Sequence, residues 1–285
     1  MTISIEACAK VNLTLKVTGR RDDGYHLLSS VFAKVDLADT LIIAASDSED
    51  VLVTCSHPAV PCDQTNLAAR AALALRHASG VGKGATIEII KRIPVAAGLG
   101  GGSSNAAVAL AALNKMWGVD LASEELAAIA LKLGADVPFF LGGAMAYVEG
   151  IGERISPLKP KRSIPVLLAN PGFGIRAADA YNGSTFHFGS ISGIGVILDD
   201  IQGGDPQRVA MHMRNDLEPW ALEKYESLAR LKTAMENTEP RPRRVVMSGS
   251  GPTLMALHSS REAMEKAAGQ LAGVAPFLYP AMTLI

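Results

Sequence analysis

From Ile3 to Val17 every second residue is apolar: Ile3, Ile5, Ala7, Ala9, Val11, Leu13, Leu15 and Val17 alternate with Ser4, Glu6, Cys8, Lys10, Asn12, Thr14 and Lys16. Successive side chains of a strand point to opposite faces, so a period of two held this long commits the N-terminus to a long β-strand with one face in a core, bent midway. Whatever fold follows must contain a sheet large enough to receive it. The other face carries Lys10 and Asn12, two apart and therefore on the same side of an open sheet surface. An isolated Lys and Asn in that setting ordinarily meet solvent.

The second constraint is the stretch PVAAGLGGGSSN, Pro94 to Asn105, with four glycines, two serines and no charge. Glycine lets backbone N–H groups approach an anion without an intervening Cβ. The run AAVALAALNKMW that follows forms a helix, so the glycines lead into a helix N-terminus, whose free N–H groups and dipole favour phosphate. The absence of GKS or GKT excludes a Walker A loop, and GLGGGSS does not fit the dinucleotide GxGxxG pattern. A phosphate site here belongs to another class, and a plain connector is the competing interpretation.

The remaining chain reads as alternating elements. After the turn at Asp23 and Gly24, where Tyr25 and His26 form a pair able to stack on and hydrogen-bond a planar ligand, Val31 to Val35 and Thr40 to Ala45 read as two strands joined through Ala38, Asp39 and Thr40. Asn66 and Gly80 bracket a helix from Leu67, and ATIEIIKR is a strand delivering the chain to Pro94. Ser123 is the expected N-cap of a helix ending near Gly134. Asp136 follows, two residues before Pro138, which disfavours helical geometry at Val137. Residues 144–156 form a hairpin, and a basic, proline-containing passage from 158 to 163 marks the junction between domains 1–157 and 158–285. The second half gives a strand at 164–169, a helix near 177–181, a Gly/Ser-rich loop to about 195, two helical stretches flanking NDLEP (215–219), a strand ending at Met247, the turn SGSGPT (248–253), a further strand, a helix from Arg261 and a last strand.

Composition bounds the possibilities. The 285 residues, 48% of them hydrophobic, can bury a substantial core, and 27 basic against 28 acidic side chains give a net charge of −1, so no global field favours nucleic acid or a membrane surface. Three scattered cysteines without a CxxC pattern suggest neither a disulfide framework nor a zinc site, and with no signal peptide or long apolar run they are expected to be reduced thiols in the cytoplasm.

Three stretches in order, AKVNLTL (9–15), PVAAGLGGGSSNAA (94–107) and MSGSGPT (247–253), resemble the GHMP kinases. DGYH, GADVPFF and NDLE narrow the likeness to those members whose alcohol substrate is a cytidine diphosphate derivative of methylerythritol. The resemblance spans nearly the whole chain. It implies an α+β, two-domain GHMP kinase fold, with an N-terminal domain like domain 2 of ribosomal protein S5, a ferredoxin-like C-terminal domain and the active site in the cleft between them.

It further implies ATP with Mg²⁺, a catalytic pair in Lys10 and Asp136, and an ATP phosphate loop made by Pro94, Val95, Ala96, Ala97, Gly98, Leu99, Gly100, Gly101, Gly102, Ser103 and Ser104. Asn12 is placed near the reacting groups, Tyr25 and His26 on the cytosine, and Tyr181 as a second aromatic against it. Phosphoryl transfer asks mainly for positioning and charge stabilisation, which one cation, one carboxylate and a backbone cradle can supply. No acidic residue is assignable to Mg²⁺, and oligomeric state is open. Competing functions are phosphorylation of another small alcohol, such as homoserine or mevalonate, and ligand sensing without catalysis.

Overall fold

A computed structural model of the chain describes residues 1–189 and 193–285. Its elements in chain order are β1 (Thr2–Arg20), β2 (His26–Ser46), β3 (Val51–Cys55), α1 (Leu67–Ser79), β4 (Gly84–Ile90), α2 (Gly101–Met116), α3 (Ser123–Leu133), α4 (Val137–Leu141), β5 (Met145–Gly150), β6 (Arg154–Leu158), β7 (Pro165–Asn170), α5 (Ala177–Gly183), α6 (Ile194–Gly203), α7 (Pro206–His212), β8 (Arg214–Asn215), α8 (Glu218–Lys224), α9 (Glu226–Glu236), β9 (Arg244–Met247), β10 (Leu254–Leu257), α10 (Arg261–Gln270) and β11 (Phe277–Met282). The chain divides into two units that interleave in sequence. One comprises residues 1–9, 37–95 and 100–143, the other residues 10–36, 96–99 and 144–285. The glycine stretch is therefore shared, residues 96–99 belonging to the second unit and those on either side to the first.

In the first unit β4 pairs antiparallel with the C-terminal half of β2 and parallel with β3. Helices α1 and α2 pack together, and α4 packs on α2. The Asn66 side chain caps α1 by accepting from Ala68 N, and Gly80 ends it at φ 70°, as the sequence indicates. Helix α3 corrects one detail: its cap is Ala122, whose backbone N donates to Glu125 Oε2, and Ser123 is its first residue. Pro138 falls in the first turn of α4, where a missing N–H costs nothing, so Val137 is helical, contrary to expectation.

In the second unit the N-terminal half of β2 pairs antiparallel with β5, β5 with β6, and β1 runs parallel to β8 through Thr14 and Leu15. A four-stranded antiparallel sheet of order β11-β7-β10-β9 follows, the ferredoxin-like order. Its core gathers Leu167, Ala169, Val245, Met247, Leu254 and Ala256 from the strands with Leu228, Leu231, Met235, Met264 and Ala267 from the helices. Leu15 and Val17 of β1 enter the same core.

Two strand expectations change. Residues 26–46 are one continuous strand, because Asp39, which reads as a turn residue, is buried and internally bonded. The polar face of β1 is not open: Lys10, Asn12 and Thr14 are all at most 4% exposed. Among the described residues no helix is long and apolar enough to cross a membrane.

Candidate active site

In the second unit the site grows from β1. Its regular alternation makes it a strand, and burial of both faces from Ala9 to Leu15 requires Lys10 and Asn12 to find partners inside the protein. Lys10 Nζ donates to Asn12 Oδ1 at 2.7 Å and lies 4.4 Å from the centre of the Phe32 ring. Asn12 Nδ2 donates to Ser30 Oγ at 2.9 Å, and that hydroxyl donates to Thr14 O at 2.5 Å. Each member of the chain has one direction of donation open to it, so the amide of Asn12 is held with its oxygen toward the ammonium.

The same strand is tied to both glycine-rich turns. Lys10 N donates to Leu99 O at 2.9 Å, and Asn12 N donates to Ser248 Oγ at 3.2 Å, whose hydroxyl donates to Gly98 O at 3.2 Å. Ile175 N and Thr253 N reach Ala96 O and Ala97 O at 3.0 and 3.4 Å. Gly98 sits at φ +74°, and a Cβ there would lie 2.1 Å from Ser248 O and 2.8 Å from Gly251 N. Glycine is required at this point because two backbones meet there.

SGSG is thus more than a tight strand connection, and NDLE explains how it is held. Asn215 Nδ2 donates to Met247 O and Gly249 O, both at 2.7 Å, Asp216 Oδ2 accepts from Val17 N, and Glu218 accepts from Met247 N at 2.6 Å and from Lys232.

In the first unit, the chain entering the glycine stretch is clamped by Asp39. Its Oδ1 accepts from Arg92 N and Ile93 N at 2.8 and 2.9 Å, and its Oδ2 accepts from Lys91 Nζ at 2.7 Å. Lys91 Nζ also donates to Ile93 O at 2.6 Å. Burial pulls the Lys91 pKa below its usual value, while the Asp39 carboxylate opposes that shift. Neither residue was singled out by sequence, since Asp39 lies within β2 and Lys91 just beyond β4.

Helix α2 begins at Gly101, inside the glycine stretch and earlier than the Ala-rich run suggests. Its cap Gly100 is left-handed at φ 69°, no side chain caps it, and no acid lies in its first turn. The first N–H groups of such a helix have no intrahelical acceptor and are available to an anion. Ser103 is half-buried, Ser104 is buried, and the buried Asn105 Nδ2 has no hydrogen-bond partner, a further residue that sequence did not flag. Within this unit an uncapped helix N-terminus beside an orphaned amide donor offers hydrogen-bond donors to an anion such as a phosphate. Among the described residues no group of three or more His, Cys, Asp or Glu is placed to hold a metal ion. Asp136, half-buried in this unit, is the N-cap of α4 with helical φ and ψ of −81° and −17°.

Tyr25, His26 and Tyr181 all belong to the second unit. Tyr25 is 62% exposed, with its N–H bonded to Asp23 Oδ1. His26 stacks on Tyr181, ring centres 5.2 Å apart and planes inclined by 19°. Burial first, then the Arg20 cation, lower the His26 pKa, which favours the neutral ring with one donor and one acceptor nitrogen.

The GHMP kinases N terminal domain matches residues 66–144, from α1 through α2 to α4. The 4-diphosphocytidyl-2-C-methyl-D-erythritol kinase of Pelobacter propionicus is 39% identical over 95% of this chain and 94% of its own, and that of Symbiobacterium thermophilum 41% identical over 92% of each. A crystal structure of 4-(cytidine 5'-diphospho)-2C-methyl-D-erythritol kinase superposes with a TM-score of 0.82 at 34% identity, covering 99% of both chains. The homoserine kinase of Cytophaga hutchinsonii shares the fold at 19% identity, with a TM-score of 0.77 over 100% of this chain and 95% of its own. Identity of this level along nearly the full length shows that the chain belongs to the GHMP kinases, within the family of the 4-diphosphocytidyl-2-C-methyl-D-erythritol kinases.

Proposed function

We propose that the chain transfers the γ-phosphoryl group of ATP to the 2-hydroxyl of 4-diphosphocytidyl-2-C-methyl-D-erythritol, a step of non-mevalonate isoprenoid precursor synthesis. The observation that carries this is the direct tie between cradle and cation: the backbone of Lys10 bonds to Leu99 in the glycine stretch, and its side chain is oriented by Asn12. Relatives named 4-diphosphocytidyl-2-C-methyl-D-erythritol kinase, matched over more than 90% of this chain and of their own length, support the choice of substrate.

Each residue has a defined task. The N–H groups around Gly98 and at the start of α2 hold the phosphates, with the hydroxyls of Ser103 and Ser104 beside them. Asp136 orients the substrate hydroxyl and accepts its proton, and Lys10 stabilises the charge that develops on the transferring group. Tyr25 and Tyr181 supply aromatic faces for the cytosine, while the neutral His26 ring hydrogen-bonds its edge. Mg²⁺, when bound with the nucleotide, would supply neutralisation of the phosphate charge.

ADP release measured over a panel of alcohols tests this. Rapid turnover with the cytidyl substrate and none with mevalonate or homoserine is expected; turnover confined to either of the latter, or none with any, contradicts it.

A further inference from the structure

The residues assigned to the base do not complete the aromatic surface around them. Phe186, three residues beyond α5, lies with its ring centre 5.0 Å from that of His26, planes at 62°, and 6.3 Å from that of Tyr181. The three rings form a closed triangle in which His26 has Tyr181 stacked on it and Phe186 meeting it at an angle. Phe186 is half-buried and packs against the C-terminal core, so it is anchored from behind, whereas neighbouring Phe188 is 55% exposed.

We propose that Phe186 is a positioning residue for base recognition: it fixes the rotation of the His26 imidazole beside Tyr181, and thereby the selectivity for a cytidine-bearing alcohol. This rests on the function proposed above. A histidine ring can flip about its Cβ–Cγ bond, which exchanges the places of its nitrogens and its ring carbons. With Tyr181 stacked on one face and Phe186 meeting the ring at an angle, the space such a flip must sweep is occupied, so Phe186 opposes the flip. The burial that keeps the imidazole neutral has the same source, since the rings covering it displace water. Phe186 acts through His26 and need not touch the base.

The test is steady-state kinetics with ATP and the cytidyl substrate varied separately, with CDP as a competitive inhibitor. Phe186→Ala is expected to raise KM for the cytidyl substrate and Ki for CDP by about three- to tenfold, the range of an aromatic pair, with kcat and KM for ATP within about twofold of the parent. Phe186→Tyr should restore both, and Phe186→Ala added to His26→Ala should cost nothing more, because the ring being positioned is already gone. An unchanged KM in Phe186→Ala, an equal rise for ATP, or additive effects in the double variant overturns the positioning role. If the parent protein neither turns over the cytidyl substrate nor is inhibited by CDP, base recognition itself fails and the role of Phe186 falls with it. A normal parent with an indifferent Phe186→Ala removes Phe186 alone.

Discussion

Replacing Gly98 by Ala tests how the proposed phosphate cradle is built. Two costs are separable. The residue is left-handed at φ +74°, which costs an L-residue about 1–2 kcal/mol. Its Cβ would also stand 2.1 Å from Ser248 O and 2.8 Å from Gly251 N, both backbone atoms with no rotamer to change, and overpacking of this kind costs about 1–3 kcal/mol more. Gly118 provides the control: its φ is +68°, nearly the same, yet no atom lies within 4 Å of its notional Cβ. Gly118→Ala should therefore show the backbone cost alone, and Gly98→Ala about 2–5 kcal/mol in all. Urea unfolding monitored by circular dichroism measures both, and KM for ATP reports any relief of the clash by movement of the loop. Equal destabilisation by the two substitutions, with KM for ATP unchanged in both, would refute the close backbone approach at Gly98.

Other substitutions probe separate parts. Asp39→Ala leaves the Lys91 ammonium buried without its carboxylate and should cost about 3–5 kcal/mol, whereas Asp39→Leu with Lys91→Met should cost far less; urea midpoints decide, and a loss below about 1 kcal/mol for the single variant contradicts the clamp. His258 is fully buried with neither ring nitrogen bonded, and burial lowers its pKa from 6.5 to about 4. As pH falls below 6.5 the unfolded chain binds the proton first, so stability should drop progressively down to pH 4, by about 3 kcal/mol in all. His258→Phe should flatten that part of the stability curve, and an unaltered slope contradicts the assignment. Tyr25→Ala should raise KM for the cytidyl substrate by about tenfold or more and leave KM for ATP within twofold, consistent with base stacking worth about 1–3 kcal/mol; equal effects on both remove the stacking role.

What could be read from sequence was local. Asn66 and Gly80 announce the ends of α1 because a cap acts within a few residues. The order of strands and helices in the second half emerges the same way. Asp39 could not be read: beside Thr40 it suggests a turn, and the three groups that bond its carboxylate lie 52 to 54 residues further on. Lys10 and Asn12 carry the same lesson, since alternation locates them on one face but cannot say that the face is covered. Their burial depends on Ser30, Phe32 and Ser248, which only the folded chain brings together. Phe186 lies in a stretch with no periodic signal, and its meaning comes entirely from the ring it meets.

The proposed division of labour between Asp136 and the glycine stretch is addressed directly by one measurement. Asp136→Asn keeps the size of the side chain and removes its capacity to take a proton. With ATP and the cytidyl substrate saturating, its kcat should fall by about 10²-fold or more, while KM for ATP stays within about twofold of the parent. A kcat within tenfold of the parent, or a loss matched by an equal rise in KM for ATP, contradicts the assignment of Asp136 to the acceptor hydroxyl.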